Sequence, residues 1–104
     1  MTDTEPVPAA VLFDGVLSIR TIVPARATLL EALAGAAPVL VDCSAAESVD
    51  LSFIQLLLAA RLSARQAGKS LRLTGPACGA LAAALAQGGF LPPSGADPFW
   101  SGDA

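Results

Sequence analysis

Val39-Leu40-Val41-Asp42-Cys43-Ser44, followed by Ala45 to Val49 and then Asp50-Leu51-Ser52-Phe53-Ile54-Gln55-Leu56-Leu57-Leu58-Ala59-Ala60, decides the fold. Pro38 to Cys43 is a continuous apolar run with two β-branched residues, too short for a stable helix. That is the pattern of a strand buried on both faces, as in a parallel sheet. Ser44 to Val49 is small and polar and reads as a loop. From Leu51 to Ala67, Phe53, Leu57, Ala60, Ala64 and Ala67 share one side at 100° per residue. Ser52, Gln55, Ala59, Leu62 and Gln66 lie on the other, so the segment reads as an amphipathic helix. Gly68 supplies its left-handed stop.

The flanking sequence repeats the alternation. Lys69 to Thr74 reads as a short strand, with Leu71 and Leu73 on one face and Arg72 on the other. Pro76 to Gln87 is an alanine-rich helix ended by Gly88-Gly89. Upstream, Pro24 to Ala34 carries Ala25, Leu29, Leu30 and Leu33 at helical spacing, and Pro24 suits a first turn. Before it, Val11 to Phe13 and Val16 to Arg20 flank Asp14-Gly15, a strong two-residue hairpin signal. The order is therefore hairpin, helix, strand, helix, strand, helix. This predicts a single-domain α/β fold: an N-terminal β-hairpin on a mainly parallel sheet of about four strands flanked by helices. Residues 1–9 read as a flexible leader, 10–91 as the domain and 92–104 as a C-terminal tail. Within the tail, Phe99-Trp100 is expected to fold back as an apolar latch, with a partner contact as the alternative.

Composition narrows the function. The 104 residues are 54% hydrophobic and only 14% charged, which excludes a disordered acidic chain or a coiled coil. Six basic and nine acidic residues leave a net charge of −3, with no basic footprint for nucleic acid or an anionic membrane. No histidine is present, which removes Ser-His-Asp and Cys-His catalysis and nearly all common zinc or iron sites. No cofactor or metal is expected, and no enzyme. Cys43 and Cys78 form neither a CxxC motif nor a disulfide framework and read as reduced thiols. The N-terminus lacks the pattern of a signal peptide, and no apolar run reaches the length of a membrane span. A cytoplasmic protein without direct membrane insertion is expected.

Polar residues concentrate at the carboxyl ends of the predicted strands, where α/β sheets gather ligands and partners. Asp42, Ser44, Glu47, Asp50 and Ser52 lie there. Asp50 occupies the helix N-cap position. Ser52 follows in the first turn, facing away from the core. A phosphoserine there would add a charge of about −1.5 to −2, which the helix N-terminus accommodates and a docked partner would not. A magnesium-dependent receiver domain needs an acidic cluster after the first strand and a lysine ending a late one. Here Asp14 sits in the predicted turn and Lys69 begins its strand.

The stretch Val41-Asp42-Cys43-Ser44, then Val49-Asp50-Leu51-Ser52-Phe53-Ile54-Gln55-Leu56-Leu57-Leu58-Ala59-Ala60, then Ala64 to Leu73, resembles the STAS domain of bacterial anti-sigma factor antagonists. The resemblance covers residues 10–91 by element order and is sharpest from Val39 to Gly75. It implies a regulatory interaction module that binds a serine kinase acting as anti-sigma factor, or a chemotaxis component. By motif, Ser52 is then the phospho-acceptor. The implied partner-binding residues are Ser44, Glu47, Asp50, Leu51, Ser52, Phe53, Gln55, Ala59 and Leu62. Leu62 and Ala59 could also mark a homodimer. STAS-like proteins serve in lipid-transporting ABC systems as well, so a constitutive transporter subunit is the alternative. The family's pattern around the serine is Asp-Ser-Ser-Gly or similar. Leu51 and Phe53 replace its small neighbours here, and a bulky Phe53 beside the serine would narrow a kinase's access.

Overall fold

The computed structural model describes residues 8–90 and 97–102. Its elements are β1 (Ala9–Leu17), α1 (Ile22–Ala34), β2 (Val39–Val49), α2 (Leu51–Gln66), β3 (Leu71–Leu73), α3 (Gly79–Gln87) and a 3₁₀ turn, Pro98–Ser101. The strands form one sheet in the order β1-β2-β3, parallel throughout. Two crossovers made in the same direction across the sheet join the strands, and α1 and α2 touch each other.

The apolar periodicities explain the core. Val11, Phe13 and Leu17 of β1, Val39, Val41 and Cys43 of β2, and Leu71 and Leu73 of β3 are buried. Against them pack Leu29 of α1, Phe53, Leu57 and Ala64 of α2, and Leu81 and Leu85 of α3. Phe13 and Phe53 meet edge to face, with ring centroids 5.1 Å apart. Lys69 caps the C-terminus of α1, its ammonium donating to the carbonyls of Leu33 and Gly35. A cation there offsets the negative end of the helix dipole.

The α/β parallel architecture is as expected, and three details differ. Among the described residues there are three strands, not about four, and no hairpin. β1 runs straight through Asp14-Gly15, parallel to β2. Gly15 does adopt a positive φ of 69°. It spends that freedom at a register shift within the strand, where Ala46 to Ser48 of β2 face Gly15-Val16. A second shift sets Asp42 to Ala45 against Leu12 to Asp14. Each is a bulge with one extra residue in β2. The expected loop Ser44–Val49 is therefore strand. Pairing with β1 overrides the weak β-propensity of Ser, Ala and Glu. The ends of the helices and of β3 differ by a few residues: α1 begins at Ile22, two residues before Pro24, and α3 at Gly79.

Phe99 and Trp100 fold back as the sequence suggested. Both are buried, and their rings pack edge to face at 4.9 Å. The Ala77 N–H donates to the Trp100 carbonyl, and Trp100 also meets Phe90. The Arg61 guanidinium holds the turn from α2. It grips the Asp97 carboxylate with two bonds of 2.8 and 2.6 Å and lies 4.9 Å above the Phe99 ring. Most of the leader (1–7), and residues 92–96 and 103–104 of the tail, lie outside the described residues.

Candidate functional site

The start of α2 is built around one carboxylate. Asp50 is extended at φ −109° and ψ 176°, as an N-cap should be. Its Oδ1 accepts from the Ser52 N–H at 3.0 Å, the Phe53 N–H at 3.4 Å and the Ser52 hydroxyl at 2.5 Å. Its Oδ2 accepts from the Ile19 N–H at 3.0 Å, in the turn between β1 and α1. The Asp50 N–H donates to the Leu17 carbonyl. One residue thus caps α2 and fixes the neighbouring turn. That turn has a second lock, the Thr21 hydroxyl, which accepts from Ser18 N–H and donates to the Val16 carbonyl.

These bonds favour the ionised carboxylate. The Ser52 hydroxyl chiefly, and then the backbone N–H groups of Ile19, Phe53 and Ser52, hold Asp50 below the usual carboxylate range, against a contribution from desolvation. Asp42 is lowered too, by the Ser44 hydroxyl at 2.7 Å and the Ser44 N–H at 2.9 Å.

Asp50 and Ser52 come together as expected and are half-buried. Leu51 is 53% exposed beside them, and Gln55, Ala59 and Leu62 line the outer face of α2. Two of the expected partner-binding residues are placed otherwise. Phe53 is 0% exposed, because the third position of α2 turns toward the sheet and its ring fills the core against Phe13. It offers nothing to a partner, and equally it does not obstruct Ser52. Ser44 belongs to no loop with Asp50. β2 is extended there, so the five residue steps from Ser44 to Val49 span about 16 Å. Ser44 instead lines a separate hollow with Cys43, Thr74, Gly75 and Cys78. Glu47 is exposed on β2, between the two.

Sequence reasoning missed Ile19. Its N–H binds Asp50 and its side chain is 65% exposed. No local pattern announces a contact 31 residues away. Among the described residues no group of three or more His, Cys, Asp or Glu could hold a metal, and no helix is long and apolar enough to cross a membrane. Cys43 is a buried thiol pushed up to about 12 by burial first and then by the charge of Asp42, which disfavours its thiolate form.

A parallel β-α repeat whose central helix opens on an Asp-x-Ser cap, with exposed apolar residues around it, is the architecture of a STAS-type interaction module. The family model described as Mlab, STAS domain, matches residues 1–90, and the chain belongs to that family. Domains of this family mediate protein–protein interactions. No curated protein and no solved structure matches the chain significantly.

Proposed function

We propose that the protein is a non-enzymatic regulatory module that docks a partner protein through the start and outer face of α2, with Ser52 as its phosphorylation switch. The carrying observation is the bond from the Ser52 hydroxyl to Asp50, whose other oxygen holds Ile19. A phosphoryl group on Ser52 removes that hydroxyl proton and sets a dianion beside a carboxylate. Repulsion then loosens both the cap and the turn carrying Ile19. Leu51, Ile19 and Leu62, more than half exposed, supply apolar area for docking. The partner in this reading is a serine kinase acting as anti-sigma factor, or a chemotaxis component, in the bacterial cytoplasm.

A second reading is a constitutively docked STAS subunit of a lipid-transporting ABC assembly. Ile19, Leu51 and Leu62, each more than half exposed, favour it, since a permanent partner would keep them from water. In that case the same face is permanently covered and Ser52 serves only as a capping partner.

Affinity capture of the tagged protein from its native cytosol, with intact-mass analysis, tests both. A single phosphate mapped to Ser52 with a co-purified kinase supports the switch. Unmodified protein held with a transporter ATPase or permease supports the second reading and removes the first.

A further inference from the structure

The outer edge of β1 is unpaired among the described residues. Ala9 N–H donates to the Pro38 carbonyl, and Asp50 N–H to the Leu17 carbonyl, both toward β2. Peptide groups alternate in direction along a strand. The odd-numbered residues therefore face β2, and Ala10, Leu12, Asp14 and Val16 direct theirs outward. The Val16 carbonyl agrees with that phase, since Thr21 takes it from outside the sheet at 3.0 Å. Ala10, Leu12 and Asp14 have no such backbone partner among the described residues. The side chains of Leu12 and Val16 are 62% and 52% exposed. A nine-residue strand edge with apolar side chains is a template for another strand.

The edge also has a wall. α1 runs beside it and leaves two adjoining hollows of about 340 and 250 Å³. They share Leu12 and Thr28, and together they follow β1 from Ala9 to Leu17. Asp14 and Glu31 are the ionisable side chains lining them, and no basic residue does. A second copy would bring the same edge, the same two carboxylates and its own α1 to the axis, like charge toward like. A strand carrying Lys or Arg meets opposite charge instead.

We infer that the β1 edge, walled by α1, takes up an extended apolar segment of a partner protein bearing basic residues, as an added strand. The main-chain groups of Ala10, Leu12 and Asp14 give the pairing, and Asp14 and Glu31 select the charge. This surface is separate from the start of α2 and does not depend on Ser52.

The test uses the full ¹⁵N-labelled chain and a blocked peptide alternating Val with Lys and Thr, with a Glu-for-Lys peptide as control. Backbone amide shifts and hydrogen exchange are followed. Binding of the Lys peptide should slow exchange at Leu12 and Asp14 by about tenfold or more, while the Glu peptide leaves them unchanged. The double variant Asp14→Lys/Glu31→Lys should lose about tenfold in affinity. If that reversal unfolds the chain, Asp14→Asn/Glu31→Gln carries the test with a smaller loss. No change in β1 amides at about 1 mM peptide overturns the inference. So does equal binding by the reversed variant. Amides already protected in the free monomer would assign the edge to another segment of this chain. Protection that rises with protein concentration and a doubled mass would assign it to a second copy.

Discussion

Replacing Asp50 by alanine should cost more than an ordinary helix cap. An N-cap aspartate is worth about 1 kcal/mol. The negative charge at the helix N-terminus adds about 0.3–1 kcal/mol. The Ile19 N–H bond is charge-assisted but sits at the surface, which limits it to about 0.5–1 kcal/mol. The loss is therefore about 2 kcal/mol, which in a domain of this size lowers Tm by roughly 8–12 °C. Asp50→Ser separates the parts: it still caps α2 but is too short to hold Ile19, so it should recover about half the loss. Urea unfolding followed by circular dichroism at pH 7 measures both. pH gives a second readout. Asp50 ionises more readily in the folded state than in the unfolded chain. Its contribution is therefore complete above the ordinary carboxylate range near pH 4 and is lost as pH falls through the depressed folded value. The wild type should lose stability on acidification more steeply than Asp50→Ala. A loss below about 0.5 kcal/mol for Asp50→Ala, the size of a neutral surface change, would refute the clamp.

The Arg61–Asp97 pair yields a similar test at the other end of the molecule. Asp97 is held at about 2, by the Arg61 bonds first and then by the Phe99 N–H. Its share of stability is present above about pH 4 and lost toward pH 2. Because Asp97 is 35% exposed, Asp97→Asn should cost only about 1 kcal/mol at pH 7 by urea unfolding, and little at pH 2. The two thiols should separate by accessibility: Cys78 is exposed and Cys43 is buried with a thiol raised to about 12. Iodoacetamide at about pH 8 should add one adduct to the native chain and two to the unfolded chain, read by intact mass.

Those features differ in how far local sequence announces them. The apolar run Val39 to Cys43 and the helical spacing of Leu51 to Ala67 identify a buried strand and its following helix, because burial itself writes those periods. Asp50 as N-cap and Ser52 beside it follow from local chemistry in the same way. Asp14-Gly15 misled because a positive φ serves a bulge as well as a turn, and only the pairing with Ala45 and Ala46 tells which. The strand from Ser44 to Val49 was hidden for a related reason. Its small residues favour nothing strongly, and β1 supplies the hydrogen bonds. Phe53 illustrates the one-residue precision a site demands. It is adjacent to Ser52 in sequence, yet 100° around the helix, and that rotation sends it into the core. Ile19 pairs with Asp50 across 31 residues and Asp97 with Arg61 across 36, and no pattern in the chain encodes either contact.

The central claim is that a partner docks at the start of α2 and that charge on Ser52 releases it. The most direct measurement is the affinity of the captured partner for wild type, Ser52→Ala and Ser52→Glu, with folding checked for each. Wild type and Ser52→Ala should bind within a few-fold of each other. Ser52→Glu should bind about a hundredfold more weakly, the equivalent of roughly 3 kcal/mol. Equal affinity of Ser52→Glu and wild type would contradict the claim and leave Ser52 as a capping residue alone.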